Sequence, residues 1–94
     1  MLTITREAAE LLKVAKAVEG AEDHVGIRIQ RGVLPNKPGQ ITVGIQITDE
    51  PGPGDEEFEQ EGLRIFVEEA LIEPLDGYTL DIRNASEGLE LIFR

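Results

Sequence analysis

The spacing of apolar residues changes once along this chain, near Gly20, and that change limits the folds open to it. Before it, Ala8, Leu11, Leu12, Ala15 and Val18 recur at the spacing of one helix face, while Arg6, Glu7, Glu10, Lys13 and Lys16 populate the other. Thr5 is placed to cap the helix, Ile4 to pack back on its first turn, and Gly20 to stop it after about four turns. Beyond Gly20 the period is two. Val25, Ile27 and Ile29 alternate with Gly26, Arg28 and Gln30; Ile41, Val43, Ile45 and Ile47 alternate with Thr42, Gly44, Gln46 and Thr48. Each of these strands has one apolar face that must be covered.

Residues 31–39 carry two prolines and two glycines and read as the loop of a hairpin. Residues 49–57 form a second loop, centred on Pro51, Gly52, Pro53 and Gly54, whose prolines deny it a regular ladder. A short strand around Phe58 and a buried strand at residues 63–67 follow. One or two helical turns at residues 68–73 end at Pro74, because a proline pushes its predecessor out of the helical region. Residues 78–82 and 89–93 make a last strand pair. The reading is a single α+β domain over residues 1–94, one N-terminal helix with a mainly antiparallel sheet built from hairpins. Its predicted core contains Leu11, Leu12, Ile27, Ile29, Val43, Ile45, Ile65, Val67, Leu80 and Leu91.

Charge and cysteine usage exclude whole classes of function. Nineteen acidic residues against nine basic ones give a net charge of -10. That disfavours nucleic acid and anionic membrane surfaces, both of which are bound through clustered Lys and Arg. The 94 residues contain no cysteine, so they offer no disulfide, thiolate zinc site or thiol nucleophile. The first residues lack the basic and apolar regions of a secretory signal, and no apolar run reaches bilayer-spanning length, so the cytoplasm is the expected location.

Several segments together resemble a known family. Gly26-Ile27-Arg28-Ile29 looks like a Gly-Leu-Arg-Leu strand, and Asp49-Glu50-Pro51 is followed by Asp55, Phe58, Gly62 and the strand at residues 63–67. Leu75-Asp76-Gly77-Tyr78-Thr79-Leu80-Asp81-Ile82 is similar to a Leu-x-Gly-x-x-Leu-Asp-aromatic segment, and Gly88-Leu89-Glu90-Leu91-Ile92-Phe93 to a final glycine-led strand. In this order they resemble the HesB-like domain of A-type (IscA-like) iron–sulfur carriers. The resemblance implies that fold and an ancestry in iron–sulfur biogenesis. The family's cysteines sit in a Gly-Cys-Ser-Gly type loop and a Cys-Gly-Cys tail. Here Pro35, Asn36 and Lys37 occupy the loop and the sequence stops at Arg94, so no cluster ligand carries over and no cofactor is expected.

The remaining chemistry-bearing residues read as structural. His24 is the only histidine, beside Glu22 and Asp23 at a strand entry, where a solvated turn accounts for it. Residues 49–61 hold seven carboxylates and no cation, without the alternation of a calcium loop, which reads as a solvated, self-repelling segment. Ser86 is the only serine and lies in a turn with no histidine nearby. No catalytic or metal-ligating residue is therefore assigned. Residues Gly32, Val33, Leu34, Pro35, Asn36 and Lys37 are the candidate interaction loop, because Val33 and Leu34 are apolar in a loop flanked by Arg31 and Lys37. The expected function is a non-enzymatic interaction or regulatory module with a protein partner, another chain or a second copy. The alternative is a weak iron or divalent-metal binder using carboxylates and His24.

Overall fold

In the computed structural model, which describes residues 1–32, 43–86 and 88–94, a two-residue strand β1 (Thr3–Ile4) leads directly into helix α1 (Arg6–Val18). Thr5 caps α1 as its sequence position predicts: the hydroxyl oxygen accepts from the Ala8 amide at 3.1 Å. At the other end Gly20 takes φ 72°. The Gly20 and Ala21 amides donate to the carbonyls of Ala17 and Lys16, a Schellman stop. The buried face comprises Ala8, Ala9, Leu12 and Lys16. Lys16 lays its aliphatic stem inward and donates from Nζ to the Asp23 carbonyl.

Six more strands and a short helix follow: β2 (Gly26–Arg31), β3 (Val43–Thr48), β4 (Glu56–Gln60), β5 (Leu63–Val67), α2 (Glu69–Ile72), β6 (Thr79–Ala85) and β7 (Gly88–Phe93). The three expected hairpins are present as antiparallel pairs β2–β3, β4–β5 and β6–β7. The β4–β5 turn is Glu61-Gly62, both at positive φ (52° and 76°), the two-residue geometry that matches strand twist. Two parallel pairings, invisible in local sequence, join the hairpins: β2 with β5, and β1 with β6. The strands form two sheets, ordered β3-β2-β5-β4 and β1-β6-β7. Gln60 bridges them, its amide accepting from the Ile4 N–H at 2.7 Å and donating to the Leu2 carbonyl at 2.6 Å. One side chain thus supplies the hydrogen bonds that a neighbouring strand would give β1.

The core lies between α1 and the two sheets. Ile27, Ile29, Leu63, Ile65, Leu71 and Leu80 are fully buried, each contributing about 1.5–3 kcal/mol relative to exposure. Four expected core residues are less covered than predicted. Leu11, Val43 and Leu91 are half-buried, and Ile45 is 36% exposed. The register itself is as expected, since Ile45 and Ile47 stand opposite Ile29 and Ile27 on the same face. The difference is position: among the described residues β3 and β7 are edge strands, and Leu11 lies on the flank of α1. Val18, expected on the buried helix face, is 81% exposed because it falls in the last turn, past the sheet. Among the described residues no helix is long and apolar enough to cross a membrane.

Candidate functional site

Strand β2 sends Ile27 and Ile29 to the core, which forces Arg28 and Gln30 onto the opposite face of the four-stranded sheet. Phe66 stands beside Arg28 in the parallel register and is also fully buried, although it lies outside the main core. The Arg64 guanidinium sits 4.9 Å from its ring centroid. Gly26 leaves room for that ring: a Cβ there would lie 3.1 Å from Phe66 Cε2 and 2.6 Å from the Arg64 carbonyl oxygen.

The loop between β3 and β4 folds over this face and is fastened by Asp55. Its side chain is 0% exposed, against 17% for its partner Arg28. Arg28 Nε and Nη2 donate to Oδ2 and Oδ1 at 2.8 and 3.0 Å, while the Gly52 amide donates to Oδ2 at 2.7 Å. Arg28 Nη1 donates to Gln30 Oε1 at 2.7 Å. A Cβ on Gly52 would fall 2.3 Å from Arg28 Nη2, so this turn lies directly against the guanidinium. The Arg28 hydrogen bonds hold the Asp55 carboxyl below its ordinary range, opposed by burial and assisted by the Gly52 amide. Asp55 in turn raises Arg28. The acidic segment is therefore not wholly solvated, as its charge run implied; its Asp55 is the buried counterion of a strand arginine. The signal for it was an arginine between two core isoleucines, which must find an anion on the far face.

An open cleft of about 890 Å³ adjoins this pair, lined by Arg28, Pro53, Glu68, Glu69, Ile72 and Glu73 among others. Among the described residues its one cation is committed to Asp55, and its lining holds no serine, histidine or cysteine. The base of the predicted interaction loop lies close by. The Arg31 amide donates to Glu68 Oε2 at 2.6 Å, and the Glu68 amide to the Ile29 carbonyl at 2.9 Å. Arg31 pairs with Val43, so the chain leaves and re-enters the sheet at one point. Gly32 is half-buried there, whereas Val33, Leu34, Pro35, Asn36 and Lys37 lie outside the described residues.

His24 is exposed, with Nδ1 3.3 Å from Glu22 Oε2 and Nε2 3.6 Å from Asp49 Oδ2. The carboxylates flank opposite ring nitrogens instead of converging on a shared point. Among the described residues no three His, Asp or Glu side chains form a group that could hold a metal ion. Ser86 stays in the turn region between β6 and β7, far from His24 in sequence.

The arrangement of these elements is found in solved structures. The chain matches IscA crystallised with a [2Fe–2S] cluster at TM-score 0.83 and 22% identity, over 100% of this chain and 84% of that one. It matches Escherichia coli SufA, involved in biosynthesis of iron–sulfur clusters, at TM-score 0.71 and 25% identity, over 99% and 78%. A solution NMR structure of a protein from Aquifex aeolicus matches at TM-score 0.71 and 19% identity, over 99% and 89%. The sequence matches no protein-family model and no curated protein. The class is thus defined by architecture: an α+β domain with the fold of A-type iron–sulfur proteins. More narrowly, the chain has the fold of the IscA and SufA structures, and its 94 residues carry no cysteine. The donor set does not fit a cluster, because an iron–sulfide core is held by thiolates and this chain presents carboxylates and one imidazole.

Proposed function

We propose that this chain is a non-enzymatic protein-interaction module associated with iron–sulfur biogenesis, and that it does not carry a cluster. The observation that carries the reading is an IscA-like fold in a sequence without thiolates. The open cleft is consistent with the non-enzymatic part, since among the described residues its one cation, Arg28, is committed to Asp55. Residues 32–37 are the segment assigned to partner contact, with Val33 and Leu34 as apolar contacts and Lys37 as a cation in an acidic protein. A protein partner fits the -10 charge better than nucleic acid does, because phosphates would be repelled.

The test is reconstitution. Purified without oxygen, the protein is expected to be colourless, and incubation with ferrous iron and sulfide should leave no bound sulfide after desalting. A stable visible charge-transfer band with stoichiometric labile sulfide would overturn the reading. Replacing Val33 and Leu34 by serine should then abolish co-purification of any partner while leaving the melting temperature unchanged; retained co-purification would remove the loop from the proposal.

A further inference from the structure

The hairpin β6–β7 leaves one side of its sheet unpaired. Thr79 and Arg94 exchange two backbone hydrogen bonds, at 2.8 and 2.9 Å, which sets the alternation along the pair. Leu89, Leu91 and Phe93 therefore turn their N–H and C=O groups outward, away from β6. No strand pairs with that edge among the described residues. The same three residues carry apolar side chains, and β7 lacks the devices that usually blunt an edge, such as proline, a bulge or an inward charge.

Beside this edge the flank of α1 is apolar as well. Leu11, Val14, Ile82 and Leu89 line a groove of about 350 Å³ between helix and hairpin. Val14 and Leu89 are 58% and 55% exposed, unlike the buried helix face at Ala8 and Leu12. The other two lining residues are Glu7 and Glu10, so the groove is apolar inside and acidic at its rim.

We propose that β7 is a docking edge for an extended segment of another protein, with apolar residues at alternate positions and Lys or Arg at its ends. Backbone hydrogen bonds to Leu89, Leu91 and Phe93 extend the sheet by one strand. Alternate side chains of the added strand then lie over Val14 and Leu11, and the cation at one of its ends meets Glu7 and Glu10, which lie one helical turn apart. Charge decides the occupant. A second copy would bring another -10 to an acidic rim, whereas a basic-ended strand neutralises it. The proposal uses none of residues 32–37 and does not depend on whether the chain ever held a cluster.

The probe is a library of capped peptides about seven residues long, with Val, Ile, Leu or Phe at three alternate positions and Arg or Lys at both ends. A matched library ends in Glu. Basic-ended peptides should bind and acidic-ended ones should not, with affinity falling as salt rises from about 0.05 to 0.5 M. Val14→Lys and Leu89→Lys, both at exposed positions, should each weaken binding at least about tenfold. Glu7→Lys with Glu10→Lys should reverse the preference toward the acidic-ended library. Amide exchange on the unmodified protein gives a readout free of folding defects: bound peptide should slow exchange at Leu89, Leu91 and Phe93. No binding by any basic-ended peptide, equal binding of both libraries, or unprotected β7 amides would overturn the proposal. So would a concentration-dependent dimer abolished by Leu89→Lys, which would assign the edge to a second copy.

Discussion

Asp55→Asn isolates the buried charge pair on the face of the four-stranded sheet opposite the core. The substitution keeps the side-chain shape and an oxygen for the Gly52 amide, but removes the anion that Arg28 faces at 2.8 and 3.0 Å. Breaking a buried pair from one side costs about 3–5 kcal/mol, because the surviving charge stays desolvated. Arg28 is 17% exposed and also lies near Glu68, so the lower end applies, about 3 kcal/mol. A domain of this size shifts its melting point by about 4–8 °C per kcal/mol, so the expected drop is roughly 12–24 °C at neutral pH. The pH dependence supplies an internal control. The folded Asp55 carboxyl titrates below its ordinary value, so its contribution is present above about pH 4 and is lost as pH falls through the lowered folded value. Thermal melts of both proteins from neutral to strongly acidic pH should therefore show a gap that closes below about pH 4. The difference is the readout, since protonating other carboxylates also relieves repulsion in a chain of charge -10. A gap worth less than about 1 kcal/mol at neutral pH, as an exposed pair gives, would refute the reasoning.

Thr5→Ala should cost about 1 kcal/mol in denaturant titrations, because the hydroxyl both caps Ala8 and donates to Asp81 at 3.0 Å. Gly26→Ala should destabilise by about 1–3 kcal/mol in the same assay, since its methyl would press on the Arg64 carbonyl and the Phe66 ring. Glu61→Asn should raise stability by about 1 kcal/mol, replacing a side chain strained at φ 52° by the residue its turn favours.

The elements legible in the sequence are those whose cause is local. Helix α1, its Thr5 cap and its Gly20 stop follow from side chains within a few positions of one another. The three hairpins follow from alternation bounded by turn residues. What stayed hidden depends on distant partners. Strand β1 is two residues long and exists because Leu80 and Gln60, far along the chain, complete its hydrogen bonds. The β2–β5 parallel pairing likewise leaves no mark on either strand alone. Edge position has the same character: Ile45 carries the alternation of a core strand and is exposed because, among the described residues, β3 ends its sheet.

The candidate sites divide along the same line. The lack of thiolates in these 94 residues is a property of composition and is legible before any fold is known. The acidic segment shows the limit of composition. Counting charges predicts repulsion for all of residues 49–61, yet Asp55 differs from its neighbours because Arg28 is fixed opposite it by two flanking isoleucines. Most of the remaining carboxylates in that segment stay exposed, as the count implied. The distinction matters for function. A carboxylate locked to Arg28 and the Gly52 amide has little capacity left for a metal ion, and Asp55 instead fastens the acidic loop to the sheet face. Among the described residues, the exposed apolar side chains Ile45 and Leu89 lie on strands that end the two sheets.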